Sequence, residues 1–292
     1  MQKMTVLFLL VAAACGPGRT SAALQPVSAA YDPSKNDPKA LELIEHMTTA
    51  LGGAATWAAV KQLSFDVEIE LNKEVKAVYH HDWDRWNARH RFEHPTMSSL
   101  ASAKENNDPK LIEQAVAMYR LFTRARGVGY FGRRTQMEQG LYSQELDSSQ
   151  RKEAIERAYE RWTQDAFMVS LPYRLTDPGV YVKHDGERSD DACPAAKCVV
   201  IAITFDPEVS VDKYWLNLDA ANYMPVVVEW ERAGADGRIA YAIAEWQDAG
   251  GLKFPSLLDN VGVRDRGDSE MWRFKNIVVG SPKDSLYIPQ VH

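Results

Sequence analysis

Gln62-Leu63-Ser64-Phe65-Asp66-Val67-Glu68-Ile69-Glu70-Leu71 alternates without a fault: Leu63, Phe65, Val67, Ile69 and Leu71 fall on one side, and Ser64, Asp66, Glu68 and Glu70 on the other. A period of two over this length predicts a strand with one buried and one wet face. Strand patterns continue through Val75 to Trp83 and Trp86 to His94. After residue 179 they follow turn signals closely, at Val180 to Lys183, Val199 to Asp206, Tyr214 to Leu218, Met224 to Arg232, Ile239 to Gln247, Leu252 to Leu258, Val261 to Asp265 and Glu270 to Val279. Gly234-Ala235-Asp236-Gly237 joins two of these as a hairpin. The expectation is an α+β chain, mainly β, with one large curved antiparallel sheet.

Helices are few and segregated from the strands, which argues against a parallel doubly wound fold. Asp37-Pro38 reads as an N-cap followed by proline at the first helical position, and Gly52-Gly53 ends the run. A short helical turn from Ala54 to Val60 carries Trp57. A longer helix is expected from Ser149 to Phe167, with Ile155, Ala158, Tyr159 and Trp162 on one stripe. Between 98 and 140, Asp108-Pro109 resembles a helix start, while Val116 to Thr123 and Tyr130 to Gln136 suit a hairpin around Arg126-Gly127-Val128-Gly129.

Several late strands are apolar on both faces. Ile239, Tyr241 and Ile243 oppose Ala240, Ala242 and Ala244, and Val200 and Ala202 oppose Ile201, Ile203 and Phe205. Helices, a second sheet or a hydrophobic ligand should therefore cover the second face. A curved sheet closed by helices leaves an apolar cavity, unless the helices fill it.

The N-terminus reads as an export signal. Lys3 precedes an apolar run from Met4 to Val11, and Ala12-Ala13-Ala14-Cys15-Gly16 follows. Residues 1–15 resemble the signal and lipobox of bacterial lipoproteins, which implies lipidation of Cys15; Ala12 stands where that motif usually has leucine. Secretion with cleavage at Ser21-Ala22-Ala23 or Ser28-Ala29-Ala30 is the alternative. Residues 16–36, rich in Ser, Ala and Pro without periodicity, read as a flexible tether, and 37–292 as a single domain. In an oxidising envelope Cys193 and Cys198 should pair as a local staple, worth about 2 kcal/mol at most.

The chain has 292 residues and a net charge of -6, a balance that argues against nucleic-acid binding. No second apolar stretch approaches the roughly 18 residues of a membrane span, so membrane attachment is expected only through lipid on Cys15.

Three features carry a family resemblance. They are the helix ending in Gly-Gly with a tryptophan soon after, the run from His81 to Arg91, and Leu171-Pro172-Tyr173-Arg174-Leu175-Thr176-Asp177-Pro178-Gly179-Val180. Together they resemble outer-membrane lipoprotein-sorting-like envelope proteins, similar in fold to the lipoprotein carrier LolA and the receptor LolB. The resemblance spans residues 38 to 290. It implies an unclosed β-barrel with a helical lid that binds lipid or acyl chains without chemistry. It does not by itself transfer ligand residues, and the segment around 98 to 140 has no counterpart in it.

Ligand-contact candidates follow from size and expected placement on strands or lid: Phe65, Tyr79, Trp83, Trp86, Trp162, Tyr241 and Trp246. Arg85 and Arg89 could pair with a headgroup at a cavity mouth, or lie on the wet face stacked over neighbouring rings. Tyr173 reads as a core residue. No metal or cofactor is expected. His80 and His81 face opposite sides of a strand, and His90 and His94 stand about 13 Å apart on one side. The chain has no nucleophile elbow, zinc-protease helix, phosphate loop or dinucleotide fingerprint. The expected function is that of an envelope lipoprotein binding a lipid or acyl chain, periplasmic or anchored to the outer membrane, in lipid or lipoprotein transport. The alternatives are a filled interaction module with an envelope protein partner and, third, a hydrolase.

Overall fold

The computed structural model describes residues 31–86, 89–93, 120–124, 137–138, 161–190, 192–207, 210–234, 236–264 and 269–287. The signal segment with Cys15, both alternative cleavage sites, the expected helix start at Asp108 and the first part of the Ser149 helix lie outside them.

Among the described residues twelve strands make one sheet: β1 (Gln62–Leu71), β2 (Glu74–Asp84), β3 (Arg89–Glu93), β4 (Arg120–Arg124), β5 (Met137–Glu138), β6 (Val180–Arg188), β7 (Cys198–Phe205), β8 (Lys213–Asp219), β9 (Pro225–Glu231), β10 (Ile239–Ala249), β11 (Leu252–Asn260) and β12 (Glu270–Gly280). Their order is β5-β4-β3-β2-β1-β12-β11-β10-β9-β8-β7-β6, and β1 pairs antiparallel with β12 in mid-sheet. Two meanders thus share one central seam. The outer strands β5 and β6 do not meet, so the sheet is an unclosed barrel.

Helices α1 (Pro38–Ala50) and α2 (Ala54–Ala59) precede the sheet, α3 (residues 161–170) lies between β5 and β6, and α4 (Val261–Arg264) links β11 to β12. Asp37 caps α1 by accepting from the Lys39 amide at 2.8 Å, with Pro38 at the first helical position. The sheet curves strongly. On α3, Asp165 reaches His81 of β2 at 3.1 Å, while the Phe167 ring lies 4.6 Å from that of Tyr214 on β8. These strands are six places apart in the order, about 29 Å in a flat sheet, yet residues 161–170, a helical stretch of about 15 Å, touch both.

One apolar core fills the described part of the concave side. It runs from Leu43, Ile44 and Met47 of α1, through Phe254 and Phe274, to Phe65, Trp83 and Trp162. On the convex side of β7 to β9, Val200, Trp215 and Val227 are also buried. A second layer or ligand was the expected cover there. Instead the Arg238 guanidinium lies 3.4 Å over the Trp215 ring, and Glu229 accepts from Arg188 at 2.6 Å and from Arg238 at 3.1 Å. Long side chains of the sheet itself contribute this cover.

Two boundaries differ from expectation. Val261 to Asp265 is not a strand: Val261–Arg264 turns helically because the Asn260 side chain accepts from the Gly262 amide at 3.0 Å, an Asx-type start. After Val116, β4 pairs with β5 with Thr123 opposite Met137, while Tyr130 to Gln136 lies outside the described residues. The tether does not extend to Asn36. The Asp32 amide donates to Tyr181 Oη at 3.2 Å, the Asp37 amide donates to Val182 O at 3.0 Å, and Asn36 and Asp37 side chains accept from the amides of Val182 and His184, each at 2.9 Å. This segment covers the outer edge of β6, where unpaired backbone groups would otherwise face water. The Cys193–Cys198 disulfide staples the connection between β6 and β7.

Candidate functional site

The concave face beneath α3 is built by alternation. Odd positions of β1 and β2 place Phe65, Tyr79, His81 and Trp83 inward, and the β2–β3 register, with Trp83 opposite His90 and His81 opposite Phe92, adds His90 and Phe92 to that face. His81 is fully enclosed. Its ring stacks on Phe65 with centroids 4.7 Å apart, its Nδ1 lies 3.0 Å from His90 Nε2, and its Nε2 lies 3.1 Å from Asp165 Oδ2.

The carboxylate fixes the direction of these bonds. His81 Nε2–H donates to Asp165, which leaves Nδ1 to accept from His90 Nε2–H. Asp165 also pairs with the Arg161 guanidinium through both of its oxygens. Arg161 in turn lies 4.7 Å from the Tyr79 ring centroid and 5.0 Å from that of Trp272. Trp162, one residue on, packs on His90 at 4.8 Å. Burial holds the His81 pKa below the usual imidazole value despite Asp165, and holds that of His90 well below it.

The C-terminal end of α3 is anchored differently. It runs into the 3-10 turn Leu171–Tyr173, and Tyr173 Oη donates towards Leu51 O at 2.8 Å and Lys253 O at 2.6 Å and accepts from the Lys253 amide at 3.1 Å. Tyr173 also stacks on Trp57 at 4.9 Å, the core position expected for it. Thus the described part of α3 is held through Tyr173 at its C-terminal end and, along its length, by the Asp165–His81 bond and the packing of Trp162 and Phe167.

The sequence candidates divide accordingly. Phe65, Tyr79, Trp83, Trp162 and Tyr241 share the concave side; Phe65 stacks on His81, Trp162 packs on His90 and Tyr79 packs on Phe92. Tyr241 sits towards β12, its Oη donating to Glu270 at 3.0 Å beside Trp272. Trp246 is half-buried at the margin of the core. Trp86 is half-buried in the turn after β2, with the Lys61 ammonium 4.9 Å over its ring. Arg85 is a correction, since it stands neither at a mouth nor on the wet face. It is buried and donates to Trp57 O and Val60 O, each at 2.7 Å, with its guanidinium 3.6 Å over Trp57. The two carbonyls at the end of α2 draw it inward. Arg89 lies on β3 opposite Asp84, and its side chain is outside the described residues.

His80 and His81 do face opposite sides, as alternation requires. What the sequence reading missed is the meeting of His81 with His90 across a hairpin, because spacing within one strand says nothing of register between two. The signal available was the short interval from Asp84 to Arg89, which folds β3 back on β2. Asp165 and Arg161, on a helix distant in sequence, carried no such signal.

No family profile matches this chain, and no curated protein sequence does. Among solved structures it is similar to a LolA superfamily protein from Nitrosomonas europaea, at 12% identity and a TM-score of 0.46 over 85% of this chain and 97% of that one. An outer membrane lipoprotein-sorting protein domain from Vibrio parahaemolyticus gives 12% identity and a TM-score of 0.45 over 85% and 96%. A DUF1329 family protein from Desulfovibrio piger gives 9% and 0.41 over 88% and 98%.

Proposed function

We propose that this protein is a bacterial envelope lipoprotein, periplasmic or held at the outer membrane through Cys15, that binds a lipid or acyl chain beneath α3 without chemistry. Transport of lipid or lipoprotein is the role this suits. The observation that carries the reading is the mounting of α3: residues 161–170 lie across the aromatic concave face, held at Tyr173, by the Asp165–His81 bond and by the packing of Trp162 and Phe167. Apolar packing alone favours a permanent roof, whereas a polar attachment can be exchanged for water when the helix lifts. Lifting it bares Phe65, Trp83 and Phe92, on which an acyl chain would gain about 25 cal/mol for each Å² of apolar surface removed from water.

Both nitrogens of His81 are engaged and the ring is enclosed, so the His81–His90–Asp165 chain suits a structural bond better than turnover on a substrate. A second reading, an interaction module with a filled core, is favoured by the continuity of the apolar core from α1 to α3. Strand addition by a partner at β6 is disfavoured, because residues 32–37 already occupy that edge.

Native mass spectrometry of the protein purified without detergent, followed by solvent extraction, tests the proposal. A stoichiometric lipid adduct is expected. A clean apo mass that takes up neither added fatty acid nor phospholipid overturns it in favour of the module.

A further inference from the structure

We propose that the outer edge of β10, from Trp246 to Ala249, is a docking strand that takes up a basic, extended polypeptide segment by strand addition. The inference goes beyond lipid binding and stands whether the space beneath α3 is filled or takes a ligand.

The free edge arises from three local events. β9 begins at Pro225 and pairs with β10 only as far as Ala242. Just before it, Tyr223 turns at a φ of +60° and stacks on His46 of α1 with centroids 4.6 Å apart, which carries the β8–β9 turn towards α1. The β10–β11 pairing is irregular between Ile243 and Trp246, and a bulge of this kind sharpens the local twist. Beyond it the hairpin is held from the β11 side: the Lys253 amide donates to Leu51 O at 3.0 Å and to Tyr173 Oη at 3.1 Å, and Tyr173 Oη donates to Lys253 O at 2.6 Å.

Those bonds fix the phase of the ladder. Both backbone groups of Lys253 point away from β10, so Asp248, which stands opposite, belongs to a non-hydrogen-bonded pair and turns its own N–H and C=O away from β11. By alternation Trp246 does the same, opposite Pro255, which has no N–H to offer. Among the described residues nothing bonds these outward groups of Trp246 and Asp248. The outer edge of β6 differs, because residues 32–37 cover it.

Charge selects the occupant. Glu245 and Asp248 are exposed along this edge, the Asp248 side chain by 76%, and Lys253 pairs with Asp248 at 2.8 Å. A second copy laid antiparallel on the edge would crowd both copies of these carboxylates, on chains that each carry a net charge of -6. A segment with basic side chains gains cross-strand pairs in the same places. Edge strands are commonly guarded by lysine; an acidic guard turns away acidic strands and admits basic ones. Main-chain bonds to Trp246 and Asp248 would supply the register, and the half-buried Trp246 ring an apolar contact.

Amide exchange resolved by NMR on the whole protein tests the proposal, with a hexapeptide of alternating lysine and valine as the probe. Without peptide, the amides of Trp246 and Asp248 should exchange fast and that of Gln247, in the hydrogen-bonded pair with Phe254, slowly. With free peptide at about ten times its Kd, exchange at Trp246 and Asp248 should slow about tenfold while that at Gln247 stays as it was. The same peptide methylated at every backbone amide should give no protection. A glutamate-valine hexapeptide should bind about tenfold more weakly, and the double variant Glu245→Lys with Asp248→Lys should reverse that preference. Equal protection by both peptides, binding that survives methylation, or binding that leaves Trp246 and Asp248 unprotected overturns the proposal. Self-association that protects the two amides without any peptide also overturns it, and assigns the edge to a second copy. If the double variant does not fold, the acidic and methylated peptides on the unaltered protein decide.

Discussion

His80 and His81 are consecutive on β2 yet occupy opposite electrostatic worlds: His80 lies between Asp66 and Asp82 on the convex face, and His81 lies enclosed against His90 and Asp165 on the concave one. Burial works against charge at both. At His80 the two carboxylates outweigh it and raise the pKa to about 9, while at His81 burial prevails and lowers it.

The convex trio therefore gives stability its own pH window. His80 has a raised folded pKa, so its contribution is complete below about 6.5 and disappears as pH rises through about 9. Asp66 and Asp82 are held below the usual carboxylate value, burial being outweighed by their bonds to His80 and to Asn276 or Ser64, so their share fails only as acid protonates them. Because His80 is 37% exposed, the alkaline loss should be only about 0.5 to 1 kcal/mol after screening. Urea midpoints across the alkaline range check this, and His80→Gln should abolish that slope.

Arg85→Met should destabilise the fold by about 2 to 4 kcal/mol, since it leaves the carbonyls of Trp57 and Val60 in the interior without their donor and removes the cation from the Trp57 ring. Chemical denaturation measures it. A loss under about 0.5 kcal/mol would mean that water takes over both carbonyls.

Tyr173→Phe keeps the ring stacked on Trp57 and deletes only the hydroxyl that ties Leu51 to Lys253. The expected cost is about 1 to 3 kcal/mol. Exchange at residues 161–170 should also rise more than at β7, because the pivot of α3 is loosened.

Gly52→Ala should cost about 1 to 3 kcal/mol or more, for two reasons that act together. Its φ is +110°, and a Cβ there would lie 2.1 Å from Gly251 O, where α1 closes on the β10–β11 turn. Thermal unfolding of the variant tests the close approach; an unchanged midpoint would show that the turn can move aside.

Trp83→Ala and Trp162→Ala each should cost about 3 to 5 kcal/mol, because both side chains are buried in the core. Their loss of stability cannot then separate a binding protein from a filled module. Tyr79→Ala is the better probe of binding: the ring is only half-buried, between Phe92 and the Arg161 guanidinium, so loss of lipid uptake without collapse is the expected outcome.

Much of the fold was legible because short-range rules govern it. Alternation in Gln62 to Leu71 fixed which side chains of β1 turn inward, Asp37-Pro38 and Gly52-Gly53 bounded α1, and the small loop between Cys193 and Cys198 made their pairing local. Where a polar side chain intervened, pattern failed: Asn260 turned the apolar Val261 segment into α4, and Asn36 and Asp37 docked the end of the expected tether. Arg85, read at a cavity mouth or on the wet face, was drawn inside by the carbonyls of Trp57 and Val60 at the end of α2.

Amino-acid sequence by itself determined a mainly β chain, the inward and outward faces of its strands, and the aromatic character of the inward face, since each depends on residues two to four apart. Tertiary structure alone decided that His81 meets His90, that Asp165 closes over them, and that Tyr173 pins the helix carrying Asp165. Those contacts join residues from 9 to 122 positions apart, and such meetings depend on strand register and sheet curvature, which no local period encodes.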